Sequence, residues 1–252
     1  MNPVYFVGAG AGDPDLITLK GRRLLDEAEV IVYAGSLVNS ELLAGLDAEL
    51  HDSAPLDLDR IMEIMITAWE QGRRVVRLHT GDPAIYGAIR EQILRLRARD
   101  IPYRIVPGVT AALASAAALG VELTVPGITQ TVIFTRQAGR TPVPSRERLR
   151  SLAAIRATLC IFLSVSMIET VVRELLAGGY GPGTPAAVVE KASWPEERIV
   201  RSTLAAIADQ VRAAGITKTA MILVGEALDP EQGEDSRLYD PRFSHGCREG
   251  ED

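Results

Sequence analysis

Four short apolar runs in the first half of the chain, at residues 4–8, 30–33, 74–79 and 103–106, each reach a glycine within two residues of their end. Stretches with helical spacing alternate with them. Residues 19–28 follow Thr18, which is placed to cap a helix. Residues 60–71 set Ile61, Ile64, Met65 and Trp69 on one face, and residues 84–99 and 110–119 complete the series. Continuous apolar runs this short read as strands buried on both faces. Such strands alternating with helices predict a mostly parallel sheet covered by helices.

The second half follows a different rhythm. Residues 131–136, 159–164, 186–190, 198–204 and 220–225 read as strands, and only 167–176 and 204–214 read as good helices. Strands joined by short connections predict a mixed sheet. Glycine and proline punctuate residues 120–127, which places a domain boundary there. The expected fold class is therefore α/β. It comprises an N-terminal α/β domain (1–120) with a mostly parallel sheet, a C-terminal domain (121–229) with a mixed sheet, and a polar tail (230–252).

Composition narrows the partners. The formal net charge of −6 argues against a nucleic-acid partner, which calls for a basic excess. It leaves room for an anionic small molecule, because a local basic patch suffices for that. The opening MNPVYFVGAG has no basic lead and does not read as a signal peptide. No apolar run reaches the roughly 18 residues that a membrane span needs. Cys160 and Cys247 make no disulfide framework, and no Cys/His cluster has metal-ligand spacing. The expectation is a cytoplasmic protein with no membrane partner and no bound metal, with Cys160 in a buried strand and Cys247 a tail thiol.

Three loops at the carboxyl ends of predicted strands carry the functional signal, since open α/β sheets bind ligands there. They are Gly8-Ala9-Gly10-Ala11-Gly12-Asp13-Pro14, then His79-Thr80-Gly81-Asp82-Pro83, then Pro107-Gly108-Val109-Thr110-Ala111. A dinucleotide-binding fingerprint would need G-x-G-x-x-G opening a helix and an acid about 20 residues later. The first loop reads G-x-G-x-G-D-P, and the second strand ends Tyr33-Ala34-Gly35, so both requirements fail. The purely structural alternatives are a tight turn in the first loop and helix caps at Asp82 and Thr110. His79 is read as making a structural hydrogen bond.

Taken together, the loops resemble the tetrapyrrole methylase family. Its first loop, V-G-A-G-P-G-D-P-x-L-I-T, corresponds to residues 7–18, with Ala11 in place of the proline. Its G-D-P loop corresponds to 81–83 and its P-G-x-T-A loop to 107–111. Residues 33–39, 79–87, 135–142, 192–197, 238–240 and 245–246 are similar to the branch that methylates precorrin-4, metal-free or cobalt-loaded, at C11. The uroporphyrinogen branch carries an acid soon after the second strand. Here Tyr33-Ala34-Gly35-Ser36 stands there, so no catalytic residue is carried over.

The resemblance implies S-adenosylmethionine as methyl donor, released as S-adenosylhomocysteine, in a cleft between the domains of a homodimer. By motif position it places Gly10, Ala11, Thr80, Gly81, Asp82, Ile85, Thr110, Ala111, Leu163, Ala192 and Ala220 at the cofactor. For Leu163 and Ala220 core packing is the alternative. It further implies a poly-carboxylate tetrapyrrole substrate. Ser36, Arg136, Arg140 and Trp194 are the candidates to hold it, because arginine pairs carboxylates through two parallel hydrogen bonds. The same loop adds Arg146, Arg148 and Arg150, of which Arg148 and Arg150 read as solvated. The rival readings are another tetrapyrrole, ribosomal RNA methylation, a protein-modifying relative and a nucleotide sensor. The acidic balance and residues 33–39 count against RNA, and a match running through both domains counts against the sensor.

Overall fold

The computed structural model describes residues 2–229, 231 and 233–250, apart from the side chain of Ser36. The chain forms two compact units: Met1–Ala114 with Lys191–Glu197, and Ser115–Glu190 with Arg198–Asp252. The division lies earlier than the glycine-rich stretch at 120–127. The expected second domain also loses Lys191–Glu197 to the first unit, and the expected tail counts with the second unit.

The first unit holds five strands: β1 (Val4–Gly8), β2 (Val30–Tyr33), β3 (Glu49–Asp52), β4 (Val75–His79) and β5 (Tyr103–Val106). They form one sheet in the order β3-β2-β4-β1-β5. Every pairing is parallel, as the alternating pattern requires. Its helices are α1 (Leu19–Asp26), α2 (Leu58–Glu70) and α3 (Arg90–Arg97), and α4 (Ala111–Leu119) begins in it. Thr18 caps α1 by accepting from the Gly21 amide at 3.0 Å.

Alternation along the strands sends side chains to two apolar layers. Val4, Phe6, Val30, Val32 and Val75 pack with Met62, Met65 and Leu96 on one face. Val7, Ile31, Val76 and Leu78 pack with Leu25 on the other. The expected helix over 84–99 begins only at Arg90, because Tyr86 and Ala88 adopt left-handed φ values of 55° and 49°.

The second unit contains β6 (Val132–Arg136), β7 (Thr158–Phe162), β8 (Pro185–Glu190), β9 (Arg198–Thr203) and β10 (Ala220–Val224). The order is β6-β7-β10-β8-β9. The β6–β7 pair is parallel and the others are antiparallel, which makes the sheet mixed. Helices α5 (Leu149–Ala153), α6 (Ile168–Gly178) and α7 (Ile207–Ala213) pack with it around Leu159, Ile161, Val171, Leu175, Val188, Ile207 and Ile222. Among the described residues no helix is long and apolar enough to cross a membrane.

Candidate ligand site at the strand ends of the first unit

Parallel strands deliver three loops to one edge of the first sheet. The close approach of those loops explains their glycines. A Cβ on Gly8 would lie 2.6 Å from the Gly81 carbonyl oxygen, and one on Gly108 only 2.2 Å from the same atom. The first and second loops then bond directly. Ala9 N donates to the His79 carbonyl at 2.7 Å, and Gly10 and Gly81 exchange amide-to-carbonyl bonds of 3.3 and 2.8 Å.

Asp82 closes the arrangement. Its Oδ1 accepts from Ala84 N at 2.8 Å, which is the cap read from sequence, and its Oδ2 accepts from Gly108 N at 2.9 Å. One carboxylate therefore ties the second loop to the third. Thr110 is buried, with its Oγ1 accepting from Ala112 N at 3.5 Å, a weak contact. Thr80 and Ile85 flank Gly81 and Asp82 and keep solvent access, Thr80 the more.

The outer part of the first loop is held by the segment Lys191–Glu197 and by Asn39. Trp194 Nε1 donates to the Ala11 carbonyl at 3.0 Å. Asn39 Nδ2 donates to the Gly12 carbonyl at 3.0 Å, and Asp13 N donates to Ser193 Oγ at 3.0 Å. Ser193 N in turn donates to Glu197 Oε2 at 2.7 Å. Lys191 Nζ stands 5.7 Å from the centroid of the Trp194 ring. Trp194 was expected on the substrate, yet its only N–H donor is engaged by the loop. Ala192 is buried in the same segment. Ser36 follows β2, and its side chain lies outside the described residues. Sequence reasoning missed Asn39, Ser193 and Glu197 as loop partners. They do fall in the segments 33–39 and 192–197 that carried the resemblance.

Beneath the second loop, His79 is buried with its Nε2 unpartnered among the described residues, so no structural hydrogen bond is seen at that atom. Burial, helped by the charge of Arg77, pushes its pKa down to about 3. The imidazole is neutral at any physiological pH. Arg77, also buried, donates to the Val32 carbonyl at 3.0 Å and to Gln92 Oε1 at 3.3 Å, and burial brings it down to about 10.

In the second unit, Leu163 follows β7 and does not continue it, although the strand was expected to run through 164. It is 70 % exposed with φ of +54°, so it is not a core residue. Ala220 opens β10 half-buried against the core. Arg136 turns back on its own loop, donating to the carbonyls of Thr141 at 3.1 Å and Pro142 at 2.7 Å. Arg140 is exposed and has no partner among the described residues. Left-handed backbone in non-glycine residues costs on the order of 1–3 kcal/mol and gathers at functional sites. Of eight such residues among the described ones, five (Tyr86, Leu163, Lys191, Ser193 and Thr219) lie at or beside an expected cofactor position.

This is an α/β protein with three backbone-lined glycine loops joined at the ends of parallel strands, the position where open α/β sheets bind ligands. The family profile "Tetrapyrrole (Corrin/Porphyrin) Methylases" matches residues 3–208. The chain is 54 % identical over 247 residues to the cobalt-precorrin-4 C(11)-methyltransferase of Methanocaldococcus jannaschii, covering 97 % of this chain and 95 % of that one. It superposes with a TM-score of 0.88 and 48 % identity on the X-ray structure of a cobalamin biosynthetic enzyme, cobalt precorrin-4 methyltransferase, over 90 % of this chain and 96 % of that one. With uroporphyrin-III C-methyltransferase of Thermus thermophilus, solved with S-adenosyl homocysteine, the TM-score is 0.78 at 33 % identity, over 90 % and 99 % of the two chains. The chain belongs to the tetrapyrrole methylase family.

Proposed function

We propose that this protein is an S-adenosylmethionine-dependent methyltransferase that methylates a precorrin-4 ring at C11 in cobalamin biosynthesis. The observation that carries the reading is the Gly8–Gly81–Gly108 cradle locked by Asp82, in a chain with full-length relatives of that activity. The cradle fits the cofactor. Its loops present backbone rather than bulky side chains, and the Thr110 and Ala111 amides at the start of α4 have no partner among the described residues. Gly10, Ala11, Thr80, Gly81, Ile85, Thr110, Ala111 and Ala192 are the residues of the first unit that would hold it. From the second unit the resemblance adds Leu163 and Ala220. The chemistry supplied by the bound cofactor is an activated methyl group on a sulfonium sulfur.

The protein's own part is alignment. Asp82 fixes the loops so that nucleophilic carbon and methyl group meet without a search, which is where proximity lowers a barrier. No covalent intermediate on the protein is needed. Arg140, exposed and without a partner among the described residues, suits a substrate carboxylate, whereas Arg136 braces the loop that carries it. A homodimer follows from the family expectation, and unpaired Cys160 and Cys247 fit a reducing cytoplasm. The acidic balance supports a reading without nucleic acid.

The test is direct. Purified protein is titrated with S-adenosylhomocysteine in a calorimeter, then incubated with S-adenosylmethionine and precorrin-4, cobalt-free or cobalt-loaded. The expected result is cofactor binding and one added methyl, located at C11 by NMR. Binding of NAD in place of the cofactor, or a methyl at another carbon, overturns the proposal.

A further inference from the structure

The segment that follows Asp82 is folded tightly on itself. Ile85 N donates to the Asp82 carbonyl at 3.2 Å. Gly87 lies against Pro83, and a Cβ on it would come 2.2 Å from the Pro83 carbonyl oxygen. On either side of Gly87, Tyr86 and Ala88 adopt φ of +55° and +49°. Residues with a Cβ disfavour that region and stay in it where surrounding structure over-determines them. The start of the segment is fixed by Asp82, whose Oδ2 accepts from Gly108 N at 2.9 Å. Its end is fixed by a side chain of α3.

Gln92, the third residue of α3, is buried. Its Nε2 donates to the Ala88 carbonyl at 3.0 Å, and its Oε1 accepts from Arg77 Nε at 3.3 Å. Arg77 Nη1 donates in turn to the Val32 carbonyl at 3.0 Å. A chain of bonds thus runs from the left-handed Ala88 through Gln92 and Arg77 into the paired strands β4 and β2. A primary amide can accept from the guanidinium and donate to the carbonyl at once, which neither a carboxylate nor an apolar side chain can do. We propose that Gln92, bridged to Arg77, is a positioning residue for the methyl-donor site: it latches the turn Tyr86–Gly87–Ala88 to the sheet and so holds Ile85, between that turn and Asp82, in the shape that receives S-adenosylmethionine. The inference rests on the methyltransferase reading above, which places Ile85 at the cofactor, and adds a residue that acts through the Ala88 backbone. A turn that kept this shape a tenth of the time would bind the cofactor about tenfold more weakly.

The experiment compares wild type with Gln92→Glu, Gln92→Met, Ala88→Gly and the double variant Gln92→Glu/Ala88→Gly. Each is measured by calorimetry with S-adenosylhomocysteine, by the tetrapyrrole KM at saturating methyl donor, and by melting temperature. Gln92→Glu keeps an acceptor for Arg77, now as an ion pair, and loses the donor to Ala88. It is expected to melt no lower than wild type, to raise the S-adenosylhomocysteine Kd about tenfold, and to leave the tetrapyrrole KM within about twofold. Gln92→Met loses both bonds and should show the same rise in Kd together with a lower melting temperature. Glycine takes left-handed φ without a Cβ penalty, so Ala88→Gly alone should hold Kd within about twofold and, placed on Gln92→Glu, should recover about threefold or more of the lost affinity. A Kd within about twofold of wild type in folded Gln92→Glu would show a bond that serves stability alone, and would overturn the inference. So would a failure of Ala88→Gly to recover affinity, or a rise confined to the tetrapyrrole KM. If wild type itself fails to bind S-adenosylhomocysteine, the methyltransferase reading fails instead, and the two failures are told apart.

Discussion

Replacing His79 with leucine should flatten the acid side of the stability curve. The imidazole is buried, its Nε2 has no partner among the described residues, and its folded-state pKa is pushed down to about 3 by burial and then by Arg77. An unfolded histidine titrates near 6.5. The folded state therefore excludes a proton that the unfolded state accepts. Stability from this group is intact above about pH 6.5 and is lost as pH falls toward the folded value. Between about pH 7.5 and pH 5 the loss from this one residue is about 2 kcal/mol, and its limiting slope is about 1.4 kcal/mol per pH unit. Leucine at 79 does not titrate, so the variant should lose about 2 kcal/mol less than wild type over that range, whatever its stability at neutral pH. The assay is urea unfolding at a series of pH values, followed by tryptophan fluorescence. Trp69 and Trp194 both lie in the first unit, as His79 does, so the signal reports the unit that matters. Parallel loss of stability in wild type and variant would refute the argument and mean that His79 is already solvated or protonated in the fold.

Asp82→Ala should cost about 2–4 kcal/mol, more than the roughly 1 kcal/mol of a lost cap, because two charge-assisted bonds go with it. Chemical denaturation checks this, and calorimetry should show weaker S-adenosylhomocysteine binding as the third loop is released. Arg136→Ala and Arg140→Ala should separate. The first should open the 137–142 loop to proteolysis because three carbonyl contacts are lost, while the second should leave melting unchanged and raise the substrate KM about tenfold at low salt. Burial pushes the Cys160 thiol up to about 12, whereas Cys247 is exposed. A thiol reagent should thus modify one cysteine per native chain and two after denaturation.

The parallel first sheet and mixed second sheet were legible because their strands are continuous apolar runs. β3 was not, since Glu49-Leu50-His51-Asp52 is a polar edge strand recognisable only by its pairing with β2. The helix expected from Ala84 was over-extended. The periodicity of 84–89 is real, but Tyr86 and Ala88 are held in left-handed backbone that periodicity does not report. α5 is five residues long inside an arginine-rich loop, too short to show a period. At the site, the loops and Asp82 could be read from spacing, because each lies within a few residues of its strand. The joining of Trp194 to Ala11 could not, as 183 residues separate them. Nor could the division of Arg136 and Arg140 into a brace and an exposed cation, which depends on how one loop folds back on itself.

Assigning Lys191–Glu197 to the first unit has a consequence for biosynthesis. Residues up to Ala114 leave the ribosome with all five strands of the first sheet, yet the piece that seats Ala11, Gly12 and Asp13 is encoded after β8. At about 5–20 residues per second, the 83 residues from 114 to 197 take roughly 4–17 seconds to appear. During that interval the nascent first sheet carries a glycine loop without its indole and hydroxyl partners. The candidate ligand edge is thus the last part of the N-terminal half to mature, and a message truncated before codon 197 would yield a sheet whose first glycine loop lacks its Ser193 and Trp194 contacts.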